Sequence, residues 1–180
     1  MTEPSDLDRR RRFDDIIGCV YVPLQRYLRR RADVPTAEDV LGDVLLVLWR
    51  RADDIPSEGT LAWCYAVARR CLANNLRGAQ RRTRLLTRLT ELPPPPTEES
   101  DPDLVAAFDA LSDADRELLR LWAWEQLAPR EIAQVLDISP NAASIRLHRA
   151  TGRLRRHLTK RKDRPAGGQL QGQRGTEASR

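Results

Sequence analysis

A run of prolines in an acidic segment is the feature that most constrains how this chain folds. Residues 92–103 contain five prolines, and no basic residue lies between Glu91 and Asp103. Consecutive prolines cannot continue a helix and favour an extended polyproline II backbone. The sequence therefore predicts two modules that move independently, joined by an extended linker over 89–102.

Both flanking segments carry apolar residues at helical spacing, and neither shows the alternation typical of strands. We predict an all-α protein with helical modules at 13–88 and 103–160, the second containing a helix-turn-helix. Pro23 predicts a break in the first helix. The basic N-terminus, 1–12, and the polar tail, 161–180, are expected to be disordered.

The charge distribution indicates more than one kind of partner. Lys and Arg number 31 against 26 Asp and Glu, and the net charge of +5 fits a polyanion such as nucleic acid. Acidic residues collect at 33–58 and 91–103, which suggests a second partner that is not nucleic acid. No apolar stretch is long enough to span a bilayer and the N-terminus lacks a signal peptide, so we expect a cytoplasmic protein without membrane insertion.

Catalytic chemistry has no visible signature in this chain. The sequence holds no phosphate loop, no nucleophile motif and no metal-ligand spacing among its three Cys and two His. Cys19, Cys64 and Cys71 are predicted to be reduced thiols in the core, with a redox or metal role as the alternative. We therefore predict no enzymatic activity, no catalytic residue, no metal and no cofactor.

The strongest functional signal is the segment 127–150, which predicts a helix-turn-helix. Two short helices meet at a tight turn around Asp137, a residue that tolerates the left-handed conformation. On a helical wheel, Ala143, Leu147, Ala150 and Leu154 share the inner side of the second helix. The outer side carries polar residues and Ile145, as expected for a helix presented to a major groove. An ordinary helical hairpin with a solvated face is the alternative.

Two weaker patterns lie in the first module. One helix stripe carries Trp63, Arg70, Asn74, Arg77 and Arg81, a stacking aromatic at the head of a basic track that suits opened DNA. A solvated basic face is the alternative. Asp39 and Asp43 lie four residues apart on the polar side of another helix, where they either contact a basic protein surface or simply face water.

Together these segments resemble the bacterial sigma factors. Residues 13–82 resemble sigma region 2 through Ala37–Trp49 (AEDVLGDVLLVLW) and Trp63–Arg69 (WCYAVAR). Residues 108–158 resemble sigma region 4 through Ala110–Leu119 (ALSDADRELL) and the helix-turn-helix. Two modules with only a short linker are similar to the extracytoplasmic-function (ECF) group.

The resemblance implies a role for each set of residues. Asp39 and Asp43 would contact the β′ clamp helices of core RNA polymerase. The chain would also contact the β flap of the polymerase. The loop at 53–59 would capture a flipped base of the minus-ten element. The resemblance places Trp63, Arg70 and Asn74 on the helix that lines the opened strand. It matches Ser144, Ile145, His148 and Arg149 to positions that read the minus-thirty-five element. Asn141 lies at the edge of this distal set.

The resemblance predicts a sigma factor that recognises both promoter elements and helps initiate transcription. An anti-sigma factor is a further expected partner. Two other functions remain open at this stage. One is a helix-turn-helix regulator that acts without recruiting polymerase, and the other is an interaction protein that sequesters an anti-sigma factor. The acidic pair, Asp39 and Asp43, favours a sigma factor over a regulator that does not recruit polymerase.

Overall fold

A computed structural model describes residues 6–85 and 101–162, with side chains over 7–79 and 101–160. In these ranges the chain is helical without strands, so the all-α prediction is confirmed there. The helices are α1 (Asp6–Arg29), α2 (Val34–Arg50), a 3-10 turn (Ala52–Asp54), α3 (Thr60–Leu85), α4 (Pro102–Asp109), α5 (Asp113–Ala123), α6 (Pro129–Leu136) and α7 (Pro140–Lys162). Almost all of the predicted linker, and the tail from residue 163, lie outside the described residues.

Local sequence signals explain where several helices begin. The Asp33 carboxylate accepts a hydrogen bond from the Thr36 amide, and Pro35 lies in the first turn of α2. Asp101 caps α4 and Ser112 caps α5 in the same way. These side chains satisfy amide donors that have no partner within the helix.

The first helix differs from its prediction at two places. It begins at Asp6, so the expectation of disorder over 1–12 is wrong from residue 6 onward. It also continues through Pro23, where the sequence predicts a break. Val20 and Leu24 are buried on either side of this proline. Their packing stabilises the helix despite the donor that proline lacks.

One hydrophobic core runs through both modules. It contains Leu24, Val44 and Leu48 from α1 and α2, and it continues into the second module through Leu121 and Ile132. The α6 helix packs directly against α3. A second, smaller core of Leu111, Leu119 and Ala150 joins α5 to α7. The modules are therefore packed against each other, and the prediction that they move independently is wrong for this structure.

Buried ion pairs reinforce this contact between modules. Arg31 reaches from the end of α1 to Glu117 on α5 at 3.1 Å and to Glu125 at 3.0 Å. Glu125 also accepts a hydrogen bond from Arg30 at 2.8 Å. The side chains of Arg31 and Glu125 are only 5% and 3% exposed. We call Arg30, Arg31, Glu117 and Glu125 the inter-module ion cluster.

Two tyrosines of the first module lie beside this cluster. The rings of Tyr27 and Tyr65 stack with centroids 4.9 Å apart, and the Arg31 guanidinium lies 3.6 Å from the Tyr27 ring centroid. The Tyr27 hydroxyl donates to Glu117 at 3.4 Å. Burial, followed by the nearby glutamates, raises the pKa of both tyrosines. Both phenols therefore stay protonated over the physiological range.

Candidate functional site

The turn between α6 and α7 has the geometry that the sequence predicts. Asp137 ends α6 in the left-handed region, with φ 56° and ψ 51°. At the other end of α6, Ala128 occupies the cap position and its amide donates to Glu131 Oε2 at 2.8 Å. The Ser139 hydroxyl accepts a hydrogen bond from the Ala142 amide at 3.2 Å and so caps α7. The left-handed Asp137 ends α6, and the Ser139 cap starts α7 two residues later.

The two sides of α7 separate as predicted. Ala143 and Ala150 are fully buried, and Leu147 and Leu154 are half-buried. The predicted reading face is exposed over all five of its residues, which are Asn141, Ser144, Ile145, His148 and Arg149. Ile145 keeps 44% of its surface exposed. An apolar side chain at this position gains from a partner that offers a methyl group, such as thymine.

A buried carboxylate connects α7 to α5. Asp115 accepts two hydrogen bonds of 2.7 Å from Arg153, one from Nε and one from Nη2. The hydrogen bonds from Arg153 hold the pKa of Asp115 below its ordinary value, although burial opposes this. A two-bond Arg–carboxylate pair restricts orientation as well as distance. Arg153 thus acts as a brace behind the reading face, a role that sequence reasoning missed.

The basic stripe on α3 is present over the described side chains. Arg70, Asn74 and Arg77 are exposed, and Trp63 is half-buried at the head of the stripe. Arg77 Nη2 donates to Asn74 Oδ1 at 2.6 Å, and the Arg51 guanidinium lies 5.1 Å from the Trp63 ring centroid. The side chain of Arg81 lies outside the described part of the chain.

The loop at 53–59 leads directly into this stripe. Ile55 is 2% exposed and anchors the start of the loop, while Gly59 ends it with a φ of +69°. The Thr60 hydroxyl donates to the Pro56 carbonyl at 2.6 Å, which tightens the loop against the first turn of α3. Ser57, Glu58 and Gly59 remain exposed between these anchors.

The acidic pair lines a groove between α1 and α2. Asp39 and Asp43 are exposed, and no ion pair is formed by either one within the described side chains. Leu46 and Trp49 continue the same stripe of α2 and are 54% and 36% exposed. Phe13 closes the groove from α1 by edge contact with Trp49, at 5.2 Å between centroids. The groove thus combines unpaired carboxylates with exposed apolar surface.

Sequence reasoning missed the apolar half of this groove. Leu46 follows Asp39 by seven residues and Asp43 by three, which places it on the same face of α2. Trp49 follows three residues later. A large apolar residue on the polar face of an amphipathic helix is the signal that would have indicated a protein-binding surface.

The cysteines fit their prediction only in part. Cys64 is fully buried, and burial raises its pKa to about 12. Cys71 is half-buried, but Cys19 is exposed, so the prediction of a core position is wrong for Cys19. In the described part of the chain, no group of three His, Cys, Asp or Glu side chains is placed to hold a metal ion. No helix there has the length and apolar character needed to cross a membrane.

This chain is similar to known proteins in the sequence of its second module and in its fold. Residues 103–154 match the family model "Sigma-70, region 4". The sigma factor RpoE from Bartonella quintana, solved with the anti-sigma factor NepR, is similar over 84% of this chain and 98% of its own, with 20% identity and a TM-score of 0.65. The protein CnrH, solved with the cytosolic domain of CnrY, is similar over 84% and 90%, with 20% identity and a TM-score of 0.57. No curated protein matches the chain.

These similarities agree with the site geometry described above. The family match covers α4, α5, α6 and most of α7, including the exposed reading face. The two structural similarities extend over both modules and establish the fold. The chain therefore contains a sigma-70 region 4 domain at residues 103–154, inside a two-module fold similar to that of the sigma factor RpoE.

Proposed function

We propose that the protein binds core RNA polymerase in the cytoplasm, recognises the minus-ten and minus-thirty-five promoter elements, and promotes transcription initiation without enzymatic activity of its own. The single observation that carries this proposal is the coexistence of two different kinds of surface. An acidic and apolar groove suits a protein partner, whereas the faces of α3 and α7 carry exposed basic and amide side chains that suit DNA.

The contact with polymerase is assigned to the first module. Asp39 and Asp43 would pair with basic side chains of the β′ clamp helices, and the exposed Leu46 and Trp49 would pack against their apolar stems. Because the two carboxylates have no ion pair within the described side chains, no existing pair has to be broken first. The second module would contact the β flap.

The contact with DNA is assigned to both modules. Ile145 and Arg149 would read the minus-thirty-five element in the major groove, with Asn141, Ser144 and His148 contributing at its edges. Trp63, Arg70, Asn74, Arg77 and Arg81 would follow the opened strand near the minus-ten element. The exposed loop at 53–59 would hold one unpaired base beside the head of this track.

Run-off transcription tests the whole proposal. Purified protein is added to core RNA polymerase on a pool of random duplexes, and the transcripts are sequenced to define the promoters used. Enrichment of a two-part motif is the expected result. A protein that binds duplex DNA but yields no transcripts with core would be a helix-turn-helix regulator instead, which is the second candidate function.

An anti-sigma factor is a proposed additional partner. RpoE was solved with the anti-sigma factor NepR, and CnrH was solved with the cytosolic domain of CnrY. Co-expression of the chain with candidate small proteins encoded beside it, followed by transcription assays, tests this proposal. An inhibitor that reduces run-off transcription in a one-to-one complex is the expected result.

A further inference from the structure

Four consecutive arginines at 9–12 lie in the first turns of α1, and only two of them face the rest of the first module. Arg9 and Arg12, three residues apart, share one side of the helix and contact the segment that follows α2. Arg10 and Arg11 are exposed, and neither forms a hydrogen bond or ion pair with the described side chains. The four residues therefore divide into a contacting pair and a free pair.

The contacting pair holds the start of the loop at 53–59. Arg12 Nη2 donates to the Ile55 carbonyl at 2.7 Å, across 43 residues of sequence. Arg9 pairs with the Asp53 carboxylate, with Nη2 at 3.1 Å from Oδ2. The other hydrogen bonds and ion pairs of the loop are local within the described residues, because Thr60 donates to Pro56 and Arg51 pairs with Asp54. Arg9 and Arg12 thus supply its hydrogen bonds from a distant element.

These contacts do two different things for the loop. The Arg12 bond fixes the backbone at Ile55, where the chain leaves the 3-10 turn and becomes exposed. The Arg9 pair neutralises Asp53, whose carboxylate would otherwise repel the phosphates of a DNA strand entering the loop. The Arg9–Asp53 pair is exposed, 40% and 41%, and such pairs contribute little to folding stability. Their effect should therefore appear in DNA binding.

We propose that Arg9 and Arg12 are positioning residues for the loop at 53–59, holding it in the conformation that captures an unpaired base. The inference rests on the proposed function of that loop. It gives the N-terminal arginine run a specific task, which neither the charge total nor the resemblance assigns. Arg10 and Arg11 do not share the task.

The test compares Arg12→Ala and Arg9→Ala with the matched control Arg11→Ala, which removes the same charge but no described contact. Promoter duplexes are selected from a random pool by the wild-type holoenzyme, and each position of the opened strand is replaced in turn by an abasic site. Wild type should show one position at which the abasic site weakens binding about tenfold. Arg12→Ala should reduce that penalty to about twofold or less, Arg9→Ala should reduce it partly, and Arg11→Ala should retain it.

Further measurements separate positioning from a loss of folding. The thermal unfolding midpoint and core polymerase affinity should be unchanged in all three variants. Arg12→Lys, which restores a donor to the Ile55 carbonyl, should recover most of the abasic penalty. Amide hydrogen exchange at 57–59 should be faster in free Arg12→Ala than in Arg11→Ala, because the loop has lost its anchor.

The contrary outcomes distinguish a failure of this inference from a failure of the proposed base capture. An abasic penalty that survives in Arg12→Ala, or that Arg11→Ala loses equally, overturns the inference. Unchanged amide exchange in Arg12→Ala also overturns it. If wild type shows no sensitive position on the opened strand, the proposed base capture by this loop is wrong, whatever the arginines do.

Discussion

Arginine is used in opposite ways at the contact between modules and on the reading face of α7. Arg31 is 5% exposed and bound to Glu117 and Glu125. Arg149 is exposed, and it has no hydrogen bond or ion pair within the described side chains. The comparison teaches that the number of basic residues does not locate a nucleic-acid surface. What matters is which of them the fold leaves without a carboxylate.

The same contrast separates the acidic residues. Glu117 and Glu125 are paired within the fold, whereas Asp39 and Asp43 remain exposed beside an apolar groove. A buried pair whose partner is removed leaves an uncompensated charge, while an exposed unpaired charge is removed without cost to folding. Substitutions should therefore divide into those that affect stability and those that affect binding.

The largest expected effect is at the inter-module ion cluster. Glu125→Gln leaves Arg30 without its carboxylate and Arg31 with Glu117 alone, and we expect the free energy of unfolding to fall by about 3–5 kcal/mol. Urea unfolding measures this change, and small-angle scattering should show a larger radius of gyration if the modules separate. Asp14→Asn, at an exposed site on α1, is the control and should leave both unchanged. An unaltered midpoint in Glu125→Gln would show that the modules are not docked in solution.

Helix positions and faces follow largely from the sequence, because periodicity and caps are local properties. The buried and exposed sides of α7, and the left-handed Asp137, agree with their predictions. The docking of the modules does not follow in this way. Arg31 and Glu125 are 94 residues apart, and nothing in either neighbourhood indicates the other as partner.

The arginine run shows the same limit at the candidate site. A polar segment near the N-terminus indicates disorder by composition, yet its order comes from a carbonyl 43 residues away. The groove was half predictable, since the carboxylates were visible as a pair while the exposed Leu46 and Trp49 were missed. The proposed roles of all these residues in binding remain predictions.

The second effect concerns the unpaired acids. Replacing Asp39 and Asp43 together with Ala should weaken core polymerase binding at least about tenfold, since two charge-assisted contacts are lost. Urea unfolding should be unchanged, in contrast to Glu125→Gln. Affinity for labelled core polymerase is the measurement, with Asp14→Ala plus Asp15→Ala as a charge-matched control. Equal binding by both double variants would contradict the assignment of the groove.

The third effect concerns the reading face. Arg149→Ala should weaken binding to the selected minus-thirty-five site and, if the contact is to phosphate, reduce the salt dependence by about one ion. Ile145→Ser should cost about 1 kcal/mol and reduce the preference for thymine over uracil, which lacks the methyl group. Fluorescence anisotropy over a salt series measures both. If the Ile145→Ser variant still prefers thymine as strongly as wild type, then Ile145 does not read a methyl group.

The smallest effect is a pH dependence at the brace behind α7. The pKa of Asp115 is lowered in the folded protein by its hydrogen bonds with Arg153, so the pair stabilises the fold above about pH 4. This contribution is lost as the pH falls through the lowered pKa. Asp115→Asn should therefore make unfolding stability less dependent on pH below about 4 than in wild type. Acid unfolding followed by circular dichroism measures the difference, and an identical pH profile would mean that the pair does not persist in solution.

The docking of the two modules has a consequence for any ligand that recognises the same surfaces. Because the modules belong to one chain, each presents its docking face to the other at an effective concentration on the order of millimolar for a short tether. A separate molecule that binds Tyr27, Arg31 or Glu125 must displace this intramolecular partner. The apparent affinity of this molecule equals its intrinsic affinity multiplied by the fraction of chains in which the two modules have separated. Variants in which the two modules separate more often should bind such a molecule more tightly, without gaining any contact with it.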